Sequence, residues 1–175
     1  MTDQLPAREN IPLVLDADLA ALLSDKIQFL FQSTFNFKTQ VGDYKISSPY
    51  SSDGDIYACV TMVQKDIEGT LIMSFTKEVA LNLASEVYRR NISEVDDTVR
   101  DAVGEISNII YASVKKVLNE KKGHSFQLSI PKVFLKNDLK NQASFIGRTL
   151  VIPINLSLGA FEVFITIEKN TNGII

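Results

Sequence analysis

The chain has 175 residues, 45% of them hydrophobic and 22% charged, with a net charge of −3 and a pI near 5.2. That size and composition suit one domain able to bury a real core, and the acidic balance argues against nucleic acid, which would want a basic face. No apolar run approaches the eighteen residues of a membrane span, and Met1 to Asn10 lacks the apolar centre of a signal peptide, so a cytoplasmic location is expected.

Residues 1–14 read as a flexible N-terminal arm and 15–175 as a single domain. Asp18 to Thr34 has a helical period. Asp55 to Val63, rich in Ile, Tyr, Val, Thr and Met, reads as a strand, with Asp66 to Gly69 as a turn and Thr70 to Phe75 as the hairpin partner. Thr76 is placed to cap a helix carrying Val79, Ala80, Leu83 and Val87. A long helix follows over about Glu94 to Asn119, with Ser93 and Asp96 as a capping box and Gly123 as the stop after Lys121 and Lys122. Ser125 to Phe134 looks extended around Pro131, Leu135 to Ser144 reads as a polar loop, and Arg148 to Leu156 with Ala160 to Glu168 forms a second hairpin around Ser157 to Gly159.

Helices between largely antiparallel, apolar hairpins predict an α+β, two-layer domain with the helices on one face of the sheet. The order of elements suggests a pseudo-twofold internal repeat with a period near ninety residues. Long apolar strands would leave an association-prone edge, which pairing of two copies through their sheet edges would remove. The lone cysteine, Cys59, lies in an apolar run and reads as a buried thiol. The lone histidine, His124, near a turn, reads as a surface residue. There is no Cys/His cluster for zinc and no glycine-rich phosphate loop, so a chemistry that needs few groups of its own is what remains.

The long helix carries the most telling pattern. Its apolar residues, among them Val99, Ala102, Val103, Ile106, Ile110 and Val114, fall on one broad arc. With about 100° per residue and Ile106 at zero, Asp101, Glu105 and Asn108 fall at about 220°, 260° and 200°, with the small Ala112 at about 240°. A carboxylate, a second carboxylate and a carboxamide therefore share a patch away from the apolar arc, neighbours by their spacing of three and four. Acid and amide residues on the outer face of a helix are usually just solvated. Asn in a helix interior is mildly unfavourable, since its side chain competes for backbone hydrogen bonds, which hints at another purpose. Pro131 has its own plain reading, as a residue that ends or shapes an edge strand.

The whole pattern reads Asp101-x3-Glu105-x2-Asn108-x22-Pro131. It resembles the (Asp/Ser)-x3-Glu-x2-Asn-x22-Pro motif of the CheC/CheX/FliY phosphatases of bacterial chemotaxis, in all four residues and all three spacings. The first helix offers no second copy: Ser24 is followed by Gln28 and Phe31, where the acid and the amide would stand. One site on a chain of this size looks like the CheX members, and that resemblance implies a homodimer. It also implies a phosphorylated CheY-like receiver domain as substrate, with Glu105 and Asn108 catalytic and Asp101 and Pro131 supporting. Asn108 would orient the attacking water and Glu105 would pair with the receiver's active-site lysine. The Mg²⁺ would belong to the receiver, so no metal or cofactor of the chain's own is expected. The alternative within the same fold is a non-catalytic adaptor that binds a regulator or a flagellar-switch part.

Overall fold

A computed structural model describes residues 11–48, 51–65, 67–138 and 147–170. Three helices and seven strands follow in the order α1 (Ala17–Phe35), β1 (Thr39–Val41), β2 (Lys45–Ser47), β3 (Ile56–Gln64), β4 (Ile67–Phe75), α2 (Lys77–Tyr88), α3 (Asp97–Lys121), β5 (Lys132–Leu135), β6 (Thr149–Leu156) and β7 (Gly159–Asn170). The strands form one antiparallel sheet in the order β1-β6-β7-β4-β3-β5, with β2 also paired to β6. The hairpins β3–β4 and β6–β7 meet at the centre. Each half of the chain lends a short strand to the other half's hairpin, β1 to β6 and β5 to β3.

Strand alternation sorts the core. Ile56, Ala58, Val60 and Met62 of β3, Leu71, Met73 and Phe75 of β4, Leu150, Ile152 and Ile154 of β6, and Phe161, Val163 and Ile165 of β7 join the buried faces of all three helices. The opposite face holds a smaller cluster of Tyr57, Ile72, Val151 and Phe164, with Phe134 and Cys59 against it. The central strands are thus apolar on both faces, which is why they read as near-continuous runs. Cys59 is half-buried on this second face rather than fully enclosed. The 52–54 segment folds across the same face, where Tyr57 Oη donates to the carbonyls of Ser52 and Gly54.

Helix ends follow ordinary capping chemistry. Asp16 accepts from Leu19 N at 3.0 Å, and Thr76 accepts from Val79 N at 3.3 Å. The start of α3 corrects the capping box expected at Ser93: Asp96 is the cap and accepts from Val99 N at 3.2 Å. Ser85 Oγ accepts from Ile92 N at 3.0 Å and fixes the incoming loop, so the helix begins beyond Ser93. Gly123, at φ +78°, follows the last turn of α3 as the stop expected there.

The turn expected at Asp66 to Gly69 is corrected. The first hairpin turns earlier than Asp66 to Gly69, because Gln64 already pairs with Ile67. Gly69 lies inside β4, where the register to β7 shifts and an added Cβ would stand 2.6 Å from Thr166 O; the glycine marks a close strand approach, not a turn. Ser125 to Phe134, expected to be extended around Pro131, pairs as a strand from Lys132 onward, since Pro131 has no N–H to extend the ladder. The three-residue strands β1 and β2 were not expected from their sequence. Of the loop expected over Leu135 to Ser144, Leu135 closes β5 and residues 139–144 lie outside the described residues. Of the span expected to be an arm, residues 11–14 are described and lie against the domain, next to Leu15, where the domain was expected to begin. Leu13 and Leu15 are core residues, and Gln64 Nε2 donates to Ile11 O at 2.9 Å.

Candidate functional site

Helix α3 positions the motif. Its buried side, Val99, Ala102, Val103, Ile106, Ser107, Ile110, Tyr111, Val114 and Leu118, seats it on the sheet and against α1 and α2. The opposite side carries Asp101 and Glu105, both exposed, and Asn108 and Ala112, both half-buried. The structure thus brings Asp101, Glu105 and Asn108 onto one outward face, neighbours across successive turns. Among the described residues, no hydrogen bond or ion pair engages their side chains. The ion pair Lys122–Asp18, at 3.8 Å, lies at the far end of the helix. Two carboxylates and a carboxamide stand unspent on a rigid helix, with hydrogen-bonding capacity free for a partner.

The segment returning from α3 to β5 flanks this face. It is pinned at several levels of the helix. Asn119 Nδ2 donates to Phe126 O and its Oδ1 accepts from Phe126 N, both at 2.9 Å. Tyr111 Oη donates to Gln127 O at 2.7 Å, burial holding that phenol's pKa up at about 12. Arg100 Nη1 donates to Val133 O at 3.2 Å. Pro131 therefore lies on the stretch bracketed between the level of Tyr111 and that of Arg100, which includes Asn108. With Ile106 at zero, Arg100, Tyr111 and Gly104 fall at about 120°, 140° and 160° on the wheel, so Asn108 at about 200° is the motif residue nearest this flank. Sequence reasoning did not find these clamps; a tyrosine and an asparagine in a helix give no sign of which backbone carbonyl they will meet.

His124 departs from the expected surface position. It is 5% exposed, stacked on Phe126 with ring centroids 5.2 Å apart, and its Nδ1 stands 3.2 Å from Gln64 Oε1. The same oxygen accepts from Ser125 N at 3.1 Å. Burial pushes the imidazole below its ordinary pKa. The histidine holds the start of the flanking segment to β3 rather than serving the motif face. Among the described residues no group of His, Cys, Asp and Glu is arranged to hold a metal ion, and no helix is long and apolar enough to cross a membrane.

The model of the family described as "Chemotaxis phosphatase CheX" matches residues 56–155, more than half of the chain. The chain belongs to the CheX family. The matched span contains the whole motif, from Asp101 to Pro131. No curated protein matches the chain significantly. Among solved structures, the chemotaxis protein CheX of Vibrio vulnificus is 19% identical with a TM-score of 0.74, covering 87% of this chain and 100% of its own. A CheX of Desulfovibrio desulfuricans is 21% identical with a TM-score of 0.72, covering 86% and 99%. The CheX–CheY–BeF3–Mg²⁺ complex of Borrelia burgdorferi is 20% identical with a TM-score of 0.68, covering 88% and 100%. At these identities the likeness establishes a shared fold, in agreement with the α+β domain expected from the sequence.

Proposed function

We propose that this CheX-family chain is a protein phosphatase that hydrolyses the aspartyl phosphate of a CheY-like response regulator in chemotaxis signalling. The observation that carries the reading is the placement of Asp101, Glu105 and Asn108 on one outward face of α3 with no partner among the described residues. The Borrelia complex, in which a CheX meets CheY with BeF3 and Mg²⁺, supports a receiver domain as the partner.

The chemistry asks little of the enzyme. An acyl phosphate is already reactive, and phosphoryl transfer relies mainly on positioning and electrostatics. The water must stand in line with the phosphorus and the leaving carboxylate. Asn108 suits that task, because a carboxamide donates and accepts at once without changing charge. Glu105, exposed and uncompensated, pairs with the receiver's active-site lysine and fixes the two proteins in register. Asp101, one turn earlier, extends the contact, and Pro131 shapes the flank beside Asn108. The Mg²⁺ belongs to the receiver.

The protein acts as a homodimer through sheet edges. Just before β5 the chain runs beside β3, with Gln127 N donating to Val63 O at 3.0 Å, and presents Leu128 and Ile130 at 79% and 85% exposure. Large aliphatic side chains on an unpaired edge favour pairing with a second copy.

The test is the decay of a phosphorylated CheY-like regulator from the same organism with the wild-type protein and with Asn108→Ala. Acceleration that depends on Asn108 is expected. Binding without acceleration would replace the phosphatase with a non-catalytic adaptor of the same fold.

A further inference from the structure

Gly104 is a helix residue without a reason inside its own chain. It lies in the interior of α3, where glycine is among the least favourable residues because its backbone loses the most freedom on folding. The other described glycines are accounted for locally. At Gly42, Gly54, Gly69 and Gly147 an added Cβ would come within 3.0 Å of a neighbouring atom, and Gly123 and Gly159 have positive φ. At Gly104 an added Cβ would meet a single atom within 4 Å beyond its own helix backbone, Val133 Cγ2 at 3.5 Å, an ordinary van der Waals contact. Alanine fits the fold at this position and would favour the helix.

The place of this glycine is specific. It is half-buried, precedes Glu105, and stands three residues from Asp101 and four from Asn108. Residues at those spacings are surface neighbours, so the missing methyl is missing from the edge of the motif face beside Asn108, on the side of β5. An asparagine side chain is short. To hold a water against a phosphoryl group set in another protein, the helix backbone around Asn108 must come close to that protein's surface.

We infer that Gly104 is a specificity-determining contact residue, the point at which the phosphorylated receiver domain makes its closest approach to the backbone of α3. This rests on the phosphatase reading and adds to it a contact surface. The space next to Asn108 is kept open so that the rim around the receiver's phosphoaspartate can seat there. Helix stability is given up for the approach of a partner.

The experiment is Gly104→Ala in the full chain, with two readouts. The thermal midpoint should rise by about 2–4 °C, because alanine is the better helix residue and fits. In steady-state decay of the phosphorylated regulator, KM for the regulator should rise about tenfold, as expected for one methyl forced into a packed contact, while kcat stays within about twofold. A raised midpoint with unchanged KM would overturn the inference and leave the phosphatase reading standing. A lowered midpoint would also overturn it, since the glycine would then be required by the fold. If the wild-type protein shows no Asn108-dependent acceleration, the phosphatase reading fails and this inference fails with it.

Discussion

Asn119 offers a direct test of what holds the flank of the site in place. Its carboxamide closes two hydrogen bonds on one residue, donating to Phe126 O and accepting from Phe126 N, both at 2.9 Å. Phe126 itself is 3% exposed and belongs to the core. Asn119→Ala removes both bonds and leaves a half-buried carbonyl and amide to find other partners. At about 1 kcal/mol net for each neutral hydrogen bond, the loss is about 2 kcal/mol. For a domain of this size that lowers the thermal midpoint by about 4–8 °C. The assay is thermal unfolding at neutral pH, followed by circular dichroism. Asn119 lies about three turns, roughly 16 Å, from Asn108 along α3, so phosphatase rates measured well below the midpoint should stay within about twofold. A midpoint within 1 °C of wild type would refute the clamp as an energetic feature, about a quarter of the smallest shift expected from the two bonds.

Other consequences follow from the same geometry. Glu105→Gln keeps shape and removes charge; regulator dephosphorylation should fall about ten- to a thousandfold with the midpoint unchanged, and an unchanged rate would exclude a charge pair at this position. Burial depresses the His124 pKa in the folded state, so its contribution is fully present above the unfolded value of about 6.5 and is lost as pH falls below it. Thermal midpoints between pH 8 and 5 should therefore drop more steeply for the wild type than for His124→Phe, and parallel curves would contradict the assignment. Leu128→Asp combined with Ile130→Asp should convert a dimer to a monomer in sedimentation equilibrium; a dimer that survives both would place the interface elsewhere.

How far the sequence reveals the molecule depends on the range of the forces involved. The helices were legible because their apolar positions recur at the helical period, and Thr76 could be placed as a cap because it acts on a residue three further along. The central strands were legible because burial on both faces makes them continuous apolar runs. The strands β1 and β2 were not, since three residues apiece carry no pattern and exist only by pairing with β6. His124 was misplaced for the same reason. Its burial depends on Gln64, sixty residues earlier, and no local signal reports such a meeting. The wheel placed Asp101 and Glu105 correctly on the outward face, because exposure on a packed helix is set by the phase of its own apolar residues. The clamps from Arg100, Tyr111 and Asn119 that set the flank beside Asn108 needed the fold, as did the observation that Gly104 has no internal cause.

The central claim is that Asn108 positions the water that attacks the aspartyl phosphate of a CheY-like regulator. The measurement that meets it head on is the first-order decay of a phosphorylated regulator with wild-type protein and with Asn108→Ala at equal concentration. The account predicts faster decay with the wild type and, with the variant, a loss of about ten- to a thousandfold in the added rate at unchanged thermal midpoint. Equal acceleration by a folded Asn108→Ala protein would contradict it.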